Sequence, residues 1–583
     1  MEENAPSSPR ERNNKDISVS EIFGIAATNI TDRSLAIRHL LDETPVKFES
    51  CESLENIGLL FLLPFLIEAG LLTYRNHYEE LSPGYYYIDF IIMQLAFMFL
   101  ARIKNPESLK NVSPGEFGKL HGLDRVPEVR CFRSKLKQIT SQNHAGDWNS
   151  ELAKKWSGEE ENEFYYIDGH VQVYNGSAAT LGKKHIARQR LCLPGIQDFW
   201  VNNGSGLPYF YVTGQVNEKL MQMIKEEIIP QLIEDIHHKK LTPELFGDKD
   251  KPLFTIVFDR EGYSPVFFET LWNEYRVAVL TYRKNVKDKW TETEFSEYTI
   301  ETESETEKIM LAEKKTVLNG VELREIRKLS DDGHQTSIVT TNKKLRIEEA
   351  AVTMFNRWSQ ENYFRYMRRE YNLDSITQYV IEQIDSEFVV SNPEYNNVTY
   401  KIKKIREKIG RHKARLLDLI DKNLKEPLEQ TGKQMKHQLR EREEISNLEQ
   451  ELDELLKLRS TIPSIIKIKD MSDLTRYTKL QTESKHFENT VKMICYRAET
   501  YCANLLSEIY KRHHNEKRDL IRSIIHSNGD LIVDDKNQTI RVCIYSLSTN
   551  RMNIALNELC EILNAGEYTH PATNYHLFYE IAK

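Results

Sequence analysis

The sequence predicts a multidomain protein of the α/β class with additional all-helical regions. Its 583 residues exceed what a single hydrophobic core usually holds. Residues 160–280 contain strand-length and helix-length apolar patterns in the order βββαβαβ. From Tyr400 onward the chain is highly charged, and its apolar residues recur at the three- and four-residue spacing of helices. Together these observations favour a central α/β domain flanked by helical ones.

The first 155 residues divide into an arm and a helical domain. Residues 1–50 form the arm, whose first 20 or so residues are rich in Ser, Pro, Asn and charge and are expected to be disordered. Residues 51–155 contain two strongly apolar runs, Ile57–Leu72 and Tyr85–Ala101. Both include ionisable residues, and a membrane span needs about 20 apolar residues with few charges. We therefore expect two buried core helices rather than a membrane hairpin.

Residues 113–142 predict a helix, a tight turn and a second helix. Ser113 and Glu116 have the spacing of a capping box, and Gly122 is suited to end the first helix. The second helix, Glu128–Thr140, carries the basic residues Arg130, Arg133, Lys135 and Lys137. A helix-turn-helix that presents basic residues to DNA has this pattern. A solvated basic face on an ordinary helical hairpin would also produce it.

Residues 160–399 predict the central domain. Strands are expected at Glu163–Val173, Ile186–Leu193, Tyr209–Thr213, Leu253–Phe258 and Val277–Tyr282, and helices at Asn217–His237 and Pro265–Tyr275. Three antiparallel strands followed by parallel ones are the order of the ribonuclease-H-like fold. Residues 285–350 alternate Thr, Glu and Val, which predicts an inserted β-subdomain.

Two further regions complete the chain. Residues 400–474 predict a helical hairpin or short coiled coil interrupted at Pro427. Its first part, Lys401–Arg415, holds eight basic residues against the single acid Glu407. Residues 475–583 predict a helical module with a β-hairpin. The helices are expected at 492–513 and 553–564, and the strands at Asp530–Val533 and Ile540–Ser546.

Bulk composition restricts the class of protein. The net charge of −9 argues mildly against binding to nucleic acid, but the basic residues are segregated from the acidic ones and charge acts locally. The seven cysteines lack paired metal-ligand spacing, which favours structural roles in a reducing cytosol. Met1–Lys15 is polar, so we expect no signal peptide and a cytoplasmic protein.

Three carboxylates occupy positions suited to metal binding. Asp168 lies where one apolar strand run ends, Asp259 follows another, and Glu361 lies on a helix after the inserted strands. Acidic groups at strand ends and on a facing helix can bind two Mg²⁺ ions, which stabilise the attacking and leaving oxygens of a phosphodiester displacement. The pattern therefore predicts Asp168, Asp259 and Glu361 as catalytic and metal-binding residues.

Other residues near these carboxylates offer alternatives. Any single strand-end acid is more often a turn or cap residue than a metal ligand. Four rival acids lie nearby: Asp198, Glu261, Glu370 and Asp374. His170 shares the strand face of Asp168, where a supporting or packing role is favoured over direct chemistry.

The residues around Glu361 match a known signature in part. Met354, Arg357, Glu361 and Arg368 have the spacing of Tyr, Arg, Glu and Lys separated by two, three and six residues. With this spacing, the chain resembles a DDE transposase of a bacterial insertion sequence, of the group with a Tyr–Arg–Glu–Lys signature. Arg368 keeps the charge of Lys, whereas Met354 lacks the hydroxyl of Tyr. Three further blocks resemble one subfamily of these proteins: Ser113–Leu123, Trp358–Phe364 and Lys492–Glu499.

The resemblance implies a metal-dependent DNA transposase with a ribonuclease-H-like catalytic domain and an inserted β-subdomain. Such an enzyme binds the terminal inverted repeats of its mobile element, cleaves the ends by metal-assisted hydrolysis and joins the 3′-OH to target DNA. It uses two Mg²⁺ ions, for which Mn²⁺ can substitute. The implied partners are repeat DNA, target DNA and a second copy of the chain in the DNA complex. The implied location is the bacterial cytoplasm, at the nucleoid.

Further DNA contacts follow from the residues near the signature. Arg357 and Arg368 share a helix face with Glu361 and are expected to bind phosphates of the cleaved strand, with ion pairing on the helix surface as the alternative. Transposases of this group form a hairpin on the transposon end and stack a Trp on a flipped base. Trp290 is the only Trp of residues 285–350 and is the candidate. It could instead pin the inserted strands to the sheet.

Two other classes of protein remain open. A domesticated descendant would bind DNA without moving it, although the presence of all three acids argues against this. A coiled-coil or membrane-associated scaffold would leave the three acids unexplained.

Overall fold

The computed structural model describes most of the chain. The described residues are 23–158, 163–176, 179, 181, 183–186, 191–215, 219–237, 247–301, 306–355, 358–374, 381–383, 389–423, 431–470, 478–510 and 514–582. The expected disorder of the first 20 residues concerns a segment outside this set.

Among the described residues, six α-helices and one strand precede the central sheet. They are α1 (Ile30–Ile37), β1 (Cys51–Leu54), α2 (Leu59–Glu68), α3 (Ile88–Leu100), α4 (Pro114–Lys119), α5 (Val129–Thr140) and α6 (Ala145–Gly158). Helices α2 and α3 are buried on nearly all sides, which confirms the prediction of core helices. No helix in the described part of the chain is long and apolar enough to cross a membrane.

The central sheet has ten strands. The part of the chain before the inserted residues contains β2 (Phe164–Val173), β3 (Lys183–Ile186), β4 (Leu191–Asn202), β5 (Pro208–Gln215), β6 (Phe254–Phe258), α8 (Pro265–Tyr275) and β7 (Val277–Tyr282). Helix α7 (220–237) lies between β5 and β6 and contains π-helical turns at Ile224–Ile228 and Ile233–His237. Strand β4 pairs antiparallel with β2 and β5, whereas β6 pairs parallel with β2 and β7. The predicted change from antiparallel to parallel pairing is thereby confirmed.

One predicted strand is wrong. The sequence pattern places a single strand at Ile186–Leu193, but Ile186 and Leu191 are antiparallel partners on β3 and β4. The two ends of the predicted strand therefore belong to different strands. An apolar alternation is the same on both arms of a hairpin, so periodicity alone could not separate them.

The inserted residues extend the same sheet. They form β8 (Ser296–Glu301), β9 (Thr306–Leu318), β10 (Val321–Leu329) and β11 (Gln335–Thr340). Strand β11 pairs antiparallel with β7 and joins these strands to the central sheet in the order β7-β11-β10-β9-β8. Helices α9 (Ile347–Phe355) and α10 (Trp358–Tyr371) follow, and α9 packs on the strands from β7 to β10.

The predicted helical hairpin corresponds to α11 (Pro393–Asn423) and α12 (Thr431–Thr461). The helices run antiparallel: Gln438 Nε2 donates to the Leu419 carbonyl at 3.2 Å near the tip, and Asn392 Nδ2 donates to the Pro463 carbonyl at 3.0 Å at the base. Four short strands lie at the base of the hairpin. They are β12 (Ile381–Gln383), β13 (Val389–Ser391), β14 (Ile465–Lys467) and β15 (Thr478–Leu480), paired β12 with β15 and β13 with β14.

The C-terminal elements share a core with the N-terminal ones. The C-terminal elements are α13 (Glu483–Ile509), α14 (His514–Ile525), β16 (Gly529–Asp534), β17 (Thr539–Ile544), α15 (Asn550–Ala565) and β18 (His576–Ile581). Strand β1 pairs with β16 in a four-stranded sheet of order β1-β16-β17-β18. Helix α13 packs against α2, α3, α5 and α6. The sequence predicts residues 51–155 and 475–583 as separate domains, whereas these segments pack on one core in the structure.

Candidate active site

Asp168 and Asp259 lie side by side on neighbouring strands. Strands β2 and β6 are parallel with Ile167 opposite Phe258, so the next residue on each strand is one of these two aspartates. Asp259 keeps an extended backbone, with φ −78° and ψ 172°. Each carboxylate accepts a hydrogen bond from the following backbone amide, at 2.9 Å for Asp168 and 2.6 Å for Asp259. The strand register therefore brings the first two predicted acids together.

The two aspartates face the side of the sheet covered by α9 and α10. Two residues earlier on each strand, Tyr166 and Val257 lie in one buried cluster with Met354 of α9. Side chains two apart on a strand share a face, so Asp168 and Asp259 point to the same side. The apolar run had predicted that Asp168 lies at a strand end. Strand β2 continues to Val173, so Asp168 lies within the strand.

Glu361 lies on α10, which crosses this face of β2. Gln360 Nε2 donates to the Tyr166 carbonyl at 3.1 Å, and Phe364 stacks on His170 with ring centroids 5.2 Å apart. Gln360 and Phe364, which precede and follow Glu361 on α10, thus contact Tyr166 and His170. These two residues precede and follow Asp168 on β2. Glu361 itself is exposed to solvent. The structure therefore places the third acid on the helix that faces the first, at its solvent-exposed edge.

His170 and the four rival acids have structural partners. His170 Nε2 lies 2.6 Å from Asp374 Oδ1, next to α10. The other three rival acids form ion pairs: Glu261 with Lys184 at 3.1 Å, Glu370 with Arg102 at 3.0 Å, and buried Asp198 with buried Lys485. Each rival acid therefore has a polar partner.

The donor chemistry of the site suits a hard divalent cation. Asp168 and Asp259 offer carboxylate oxygens from adjacent strands, which are the ligands that Mg²⁺ and Mn²⁺ prefer. Among the described residues, no group of three or more His, Cys, Asp or Glu side chains is arranged to hold a metal ion. Asp168 and Asp259 therefore offer oxygen donors of suitable chemistry on adjacent strands, and Glu361 offers a further carboxylate on α10.

The signature residues around Glu361 have different environments. Arg357 lies outside the described residues. Arg368 is half-buried, and its Nε donates to the Phe364 carbonyl at 3.1 Å. Met354, at the position of the signature Tyr, is fully buried in the core. Arg365 is exposed four residues after Glu361 and was missed, although its spacing from Glu361 is a signal that could have found it.

Helix α5 presents three of its four predicted basic residues. Arg130, Arg133 and Lys137 are exposed. Lys135 is only 8% exposed, its Nζ donates to the Ser82 carbonyl at 2.7 Å, and burial lowers its pKa. The predicted capping box is wrong, because Ser113 makes no side-chain cap hydrogen bond to α4. The exposed basic face of α5 therefore consists of three residues instead of the predicted four.

Trp290 lies inside the inserted strands. Trp290 is 9% exposed, with the Arg327 guanidinium carbon 4.2 Å and the Lys314 ammonium 4.6 Å from the centroid of its ring. Gln335 bonds both its backbone amide and its carbonyl, at 3.0 and 2.8 Å. These contacts hold Trp290 against β9, β10 and β11 of the inserted region, and its low exposure leaves little of it accessible to a flipped base.

The eight basic residues of Lys401–Arg415 are all exposed on α11. Their partner helix α12 supplies acids at the seam of the hairpin, where Glu441 and Glu449 bind His412 and Lys413. The remainder of the α11 surface is a second basic face in addition to that of α5.

Comparison with protein families places most of the chain in one family. A family model described as "Transposase protein" matches residues 24–583, which is nearly the whole chain. No curated protein matches the chain.

Proposed function

The chain belongs to this transposase family, and from that premise we propose that it is a DDE transposase of a bacterial insertion sequence. In this proposal it binds the terminal inverted repeats of its element, cuts the ends and joins the freed 3′-OH to target DNA. The observation that carries the proposal is the register of β2 and β6, which sets Asp168 beside Asp259 under the helix that bears Glu361.

The strand order supports a ribonuclease-H-like catalytic core. Strands β4 and β5 are antiparallel additions to β2, and β6 and β7 follow in parallel. In such a core the first acid lies on the first strand, the second follows the fourth main strand, and the third lies on a later helix. Asp168, Asp259 and Glu361 have these positions, with the short β3 as an additional strand.

Asp168, Asp259 and Glu361 would hold the metal ions in this proposal. When bound, two Mg²⁺ or Mn²⁺ ions supply an activated water or 3′-OH and stabilise the charge that develops on the phosphate. Because Glu361 lies on a separate helix, we expect it to complete the site when DNA and metal bind.

Other residues of the chain would bind and orient the DNA strand. Arg365 and Arg368 lie four and seven residues after Glu361 and are placed to bind the phosphates that flank the cut. Arg357 is expected to do the same from the preceding turn. His170, fixed between Phe364 and Asp374, would hold α10 against β2 so that Glu361 remains near Asp168. Hydrolysis leaves a 3′-OH, which then displaces a 3′-oxygen of the target strand.

The test is a cleavage assay on labelled terminal-repeat DNA beside a gel-shift assay. We expect Asp168→Ala, Asp259→Ala and Glu361→Ala each to lower cleavage by at least about 1,000-fold, on the order of 4 kcal/mol in the barrier, while repeat binding persists. Chelation of divalent cations should have the same effect on the wild type.

The matched control is Glu261→Ala. Glu261 is an exposed acid two residues after Asp259, so its replacement removes a similar charge without removing a proposed ligand. It should cleave at nearly the wild-type rate. Wild-type cleavage by any of the three alanine variants would remove that residue from the site, and cleavage in the presence of a chelator would overturn the metal-dependent mechanism.

A further inference from the structure

A single buried carboxylate joins four segments of the protein behind α10. Glu499 of α13 is 0% exposed. Its two oxygens accept from Arg102 Nη2 at 2.6 Å, from the Tyr366 hydroxyl at 2.7 Å and from Arg518 Nη1 at 2.9 Å. Arg102 follows α3, Tyr366 lies on α10 and Arg518 lies on α14. The carboxylate of Glu499 is therefore a shared acceptor for the N-terminal, catalytic and C-terminal parts of the chain.

A second carboxylate extends this cluster along α10. Arg102 Nη2 also donates to the Tyr366 hydroxyl at 2.9 Å, and Arg102 Nε lies 3.0 Å from Glu370 Oε2. The guanidinium of Arg518 lies 4.5 Å from the centroid of the Tyr366 ring. Tyr366 and Glu370 are four residues apart, so both lie on one flank of α10. Arg102 holds that flank at two points.

The other flank of α10 carries the proposed catalytic groups. At about 100° per residue, Glu361 and Arg368 fall together on the flank opposite Tyr366 and Glu370, with Phe364 between the flanks against His170. Rotation of the helix about its axis would move Glu361 and Tyr366 together. Whatever fixes Tyr366 and Glu370 therefore fixes the direction in which Glu361 points.

Helix α13 is itself anchored to the central sheet. Arg497, two residues before Glu499, is fully buried and donates to the Pro208 carbonyl of β5 from Nε at 3.0 Å and from Nη2 at 2.9 Å. Its guanidinium lies 4.2 Å from the ring centroid of Trp156. The block Lys492–Glu499 therefore bonds the sheet through Arg497 and α10 through Glu499.

Burial of these charges is difficult to explain by stability alone. An ion pair taken out of water loses hydration that its Coulomb attraction only partly replaces, and apolar residues of the same volume often serve as well. A charged cluster does fix geometry, because its hydrogen bonds have defined directions.

We propose that Glu499 is a positioning residue, which sets the rotation of α10 through Tyr366 and Arg102 and thereby places Glu361 relative to Asp168 and Asp259. This inference rests on the proposed function for the roles of those three acids.

Two substitutions test the proposal. Glu499→Gln keeps the shape of the side chain and removes its charge, and Tyr366→Phe removes only the hydroxyl that binds Glu499. The first measurement is hydrogen exchange of the α10 amides, which needs neither metal nor DNA. We expect exchange to rise roughly tenfold in Glu499→Gln and less in Tyr366→Phe, because the coupling between contacting groups is lost.

The second measurement is the Mg²⁺ concentration for half-maximal cleavage of a repeat end. We expect it to rise roughly tenfold in Glu499→Gln, because a misdirected Glu361 is a weaker ligand. Repeat binding should persist.

The matched control is Glu325→Gln on β10. Glu325 is also a buried carboxylate, with Arg283 Nη1 at 2.5 Å and Arg327 Nε at 2.8 Å, but Arg283 follows β7 and Arg327 lies on β10, so neither partner contacts α10 through Glu499. It should raise exchange of β10 amides and leave α10 exchange and the Mg²⁺ requirement unchanged. If the control shows the same Mg²⁺ shift, loss of any buried carboxylate has this effect. That outcome would overturn the positioning role of Glu499.

The outcomes separate this proposal from the proposed function. If the wild type does not cleave, or Glu361→Ala cleaves normally, the proposed function fails and the positioning role fails with it. If both behave as proposed but Glu499→Gln and Tyr366→Phe keep wild-type α10 exchange and Mg²⁺ requirement, only the positioning role is overturned. Should Glu499→Gln not fold, Tyr366→Phe alone decides.

Discussion

His121 is enclosed by aromatic rings, and this environment controls its protonation. Ring centroids of Phe97, Phe90 and Phe117 lie 4.8, 5.0 and 5.9 Å from that of His121. Burial lowers the pKa of His121 from 6.5 to about 3, and repulsion from His570 adds to this shift. In the unfolded chain His121 is therefore protonated below about pH 6.5, whereas in the folded chain it is protonated only below about pH 3. Stability is therefore full above pH 6.5 and falls as the pH decreases through this window.

We predict that replacement of His121 reduces the acid sensitivity of the protein. Each pH unit of the window is worth about 1.4 kcal/mol, so one such histidine can account for on the order of 4 kcal/mol in total. Urea unfolding at pH 7 and pH 4.5 would measure this for the wild type and for His121→Leu. His576→Leu replaces an exposed histidine of β18 and is the control. An equal loss of stability on acidification in His121→Leu and in the wild type would contradict the assignment.

Single side chains also show where the sequence pattern stops being informative. At about 100° per residue, Lys135 lies about 140° around α5 from Arg130 and away from the other two exposed basic residues. Its ammonium is buried against Ser82, which the sequence pattern did not show. Trp290 was selected as the only Trp of its segment, and its surroundings of Arg327 and Lys314 come from strands that are distant in sequence from it. Periodicity gives the side of a helix or strand on which a residue lies. It does not say what packs on that side.

At the scale of elements, α5 offers a test of DNA contact. We predict that Ala replacement of Arg130, Arg133 and Lys137 weakens repeat binding and lowers the slope of log affinity against log salt by up to about 0.9 per lost phosphate contact. Gel shifts at several salt concentrations would measure both quantities.

Lys135→Met supplies the internal control for this helix. It removes a positive charge from α5, but from a buried position, so the salt slope should remain while thermal stability changes. If the triple variant keeps the wild-type slope and affinity, α5 does not contact DNA. The basic face of α11 would then be the next candidate.

Elements with strong local signals were predicted to the residue. Helix α8 occurs at the predicted Pro265–Tyr275, where Ser264 caps the first turn and its hydroxyl accepts from the Phe267 amide at 3.4 Å. Strand β18 was missed because its partner β17 lies 37 residues earlier, as in the pair Thr539 and His576, and the two strands are parallel, so no turn signals the pair. The order of β2, β6 and α10 was predictable, whereas the strand register and the rotation of α10 depend on contacts between distant residues.

At the scale of the whole molecule, the two ends of the chain are one structural unit. Tyr579 of β18 is 1% exposed, its hydroxyl donates to the Leu60 carbonyl of α2 at 3.3 Å, and its ring centroid lies 4.8 Å from that of Phe61. Helix α13 runs through the same core and carries Glu499 to the back of α10. A destabilising substitution in the C-terminal strands should therefore also destabilise the N-terminal helices. Through α13, it should also affect α10, the helix that bears Glu361.

We predict that Tyr579→Ala destabilises the protein by about 3–5 kcal/mol, as truncation of a buried aromatic side chain does, and raises hydrogen exchange in α2 as well as in β16–β18. Phe578→Ala is the matched control, because Phe578 is the neighbouring aromatic residue on β18 but is 41% exposed. It should cost less than about 1 kcal/mol and leave α2 protected. If Tyr579→Ala raised exchange only in the C-terminal strands, the two ends would unfold independently and their shared core would not couple them.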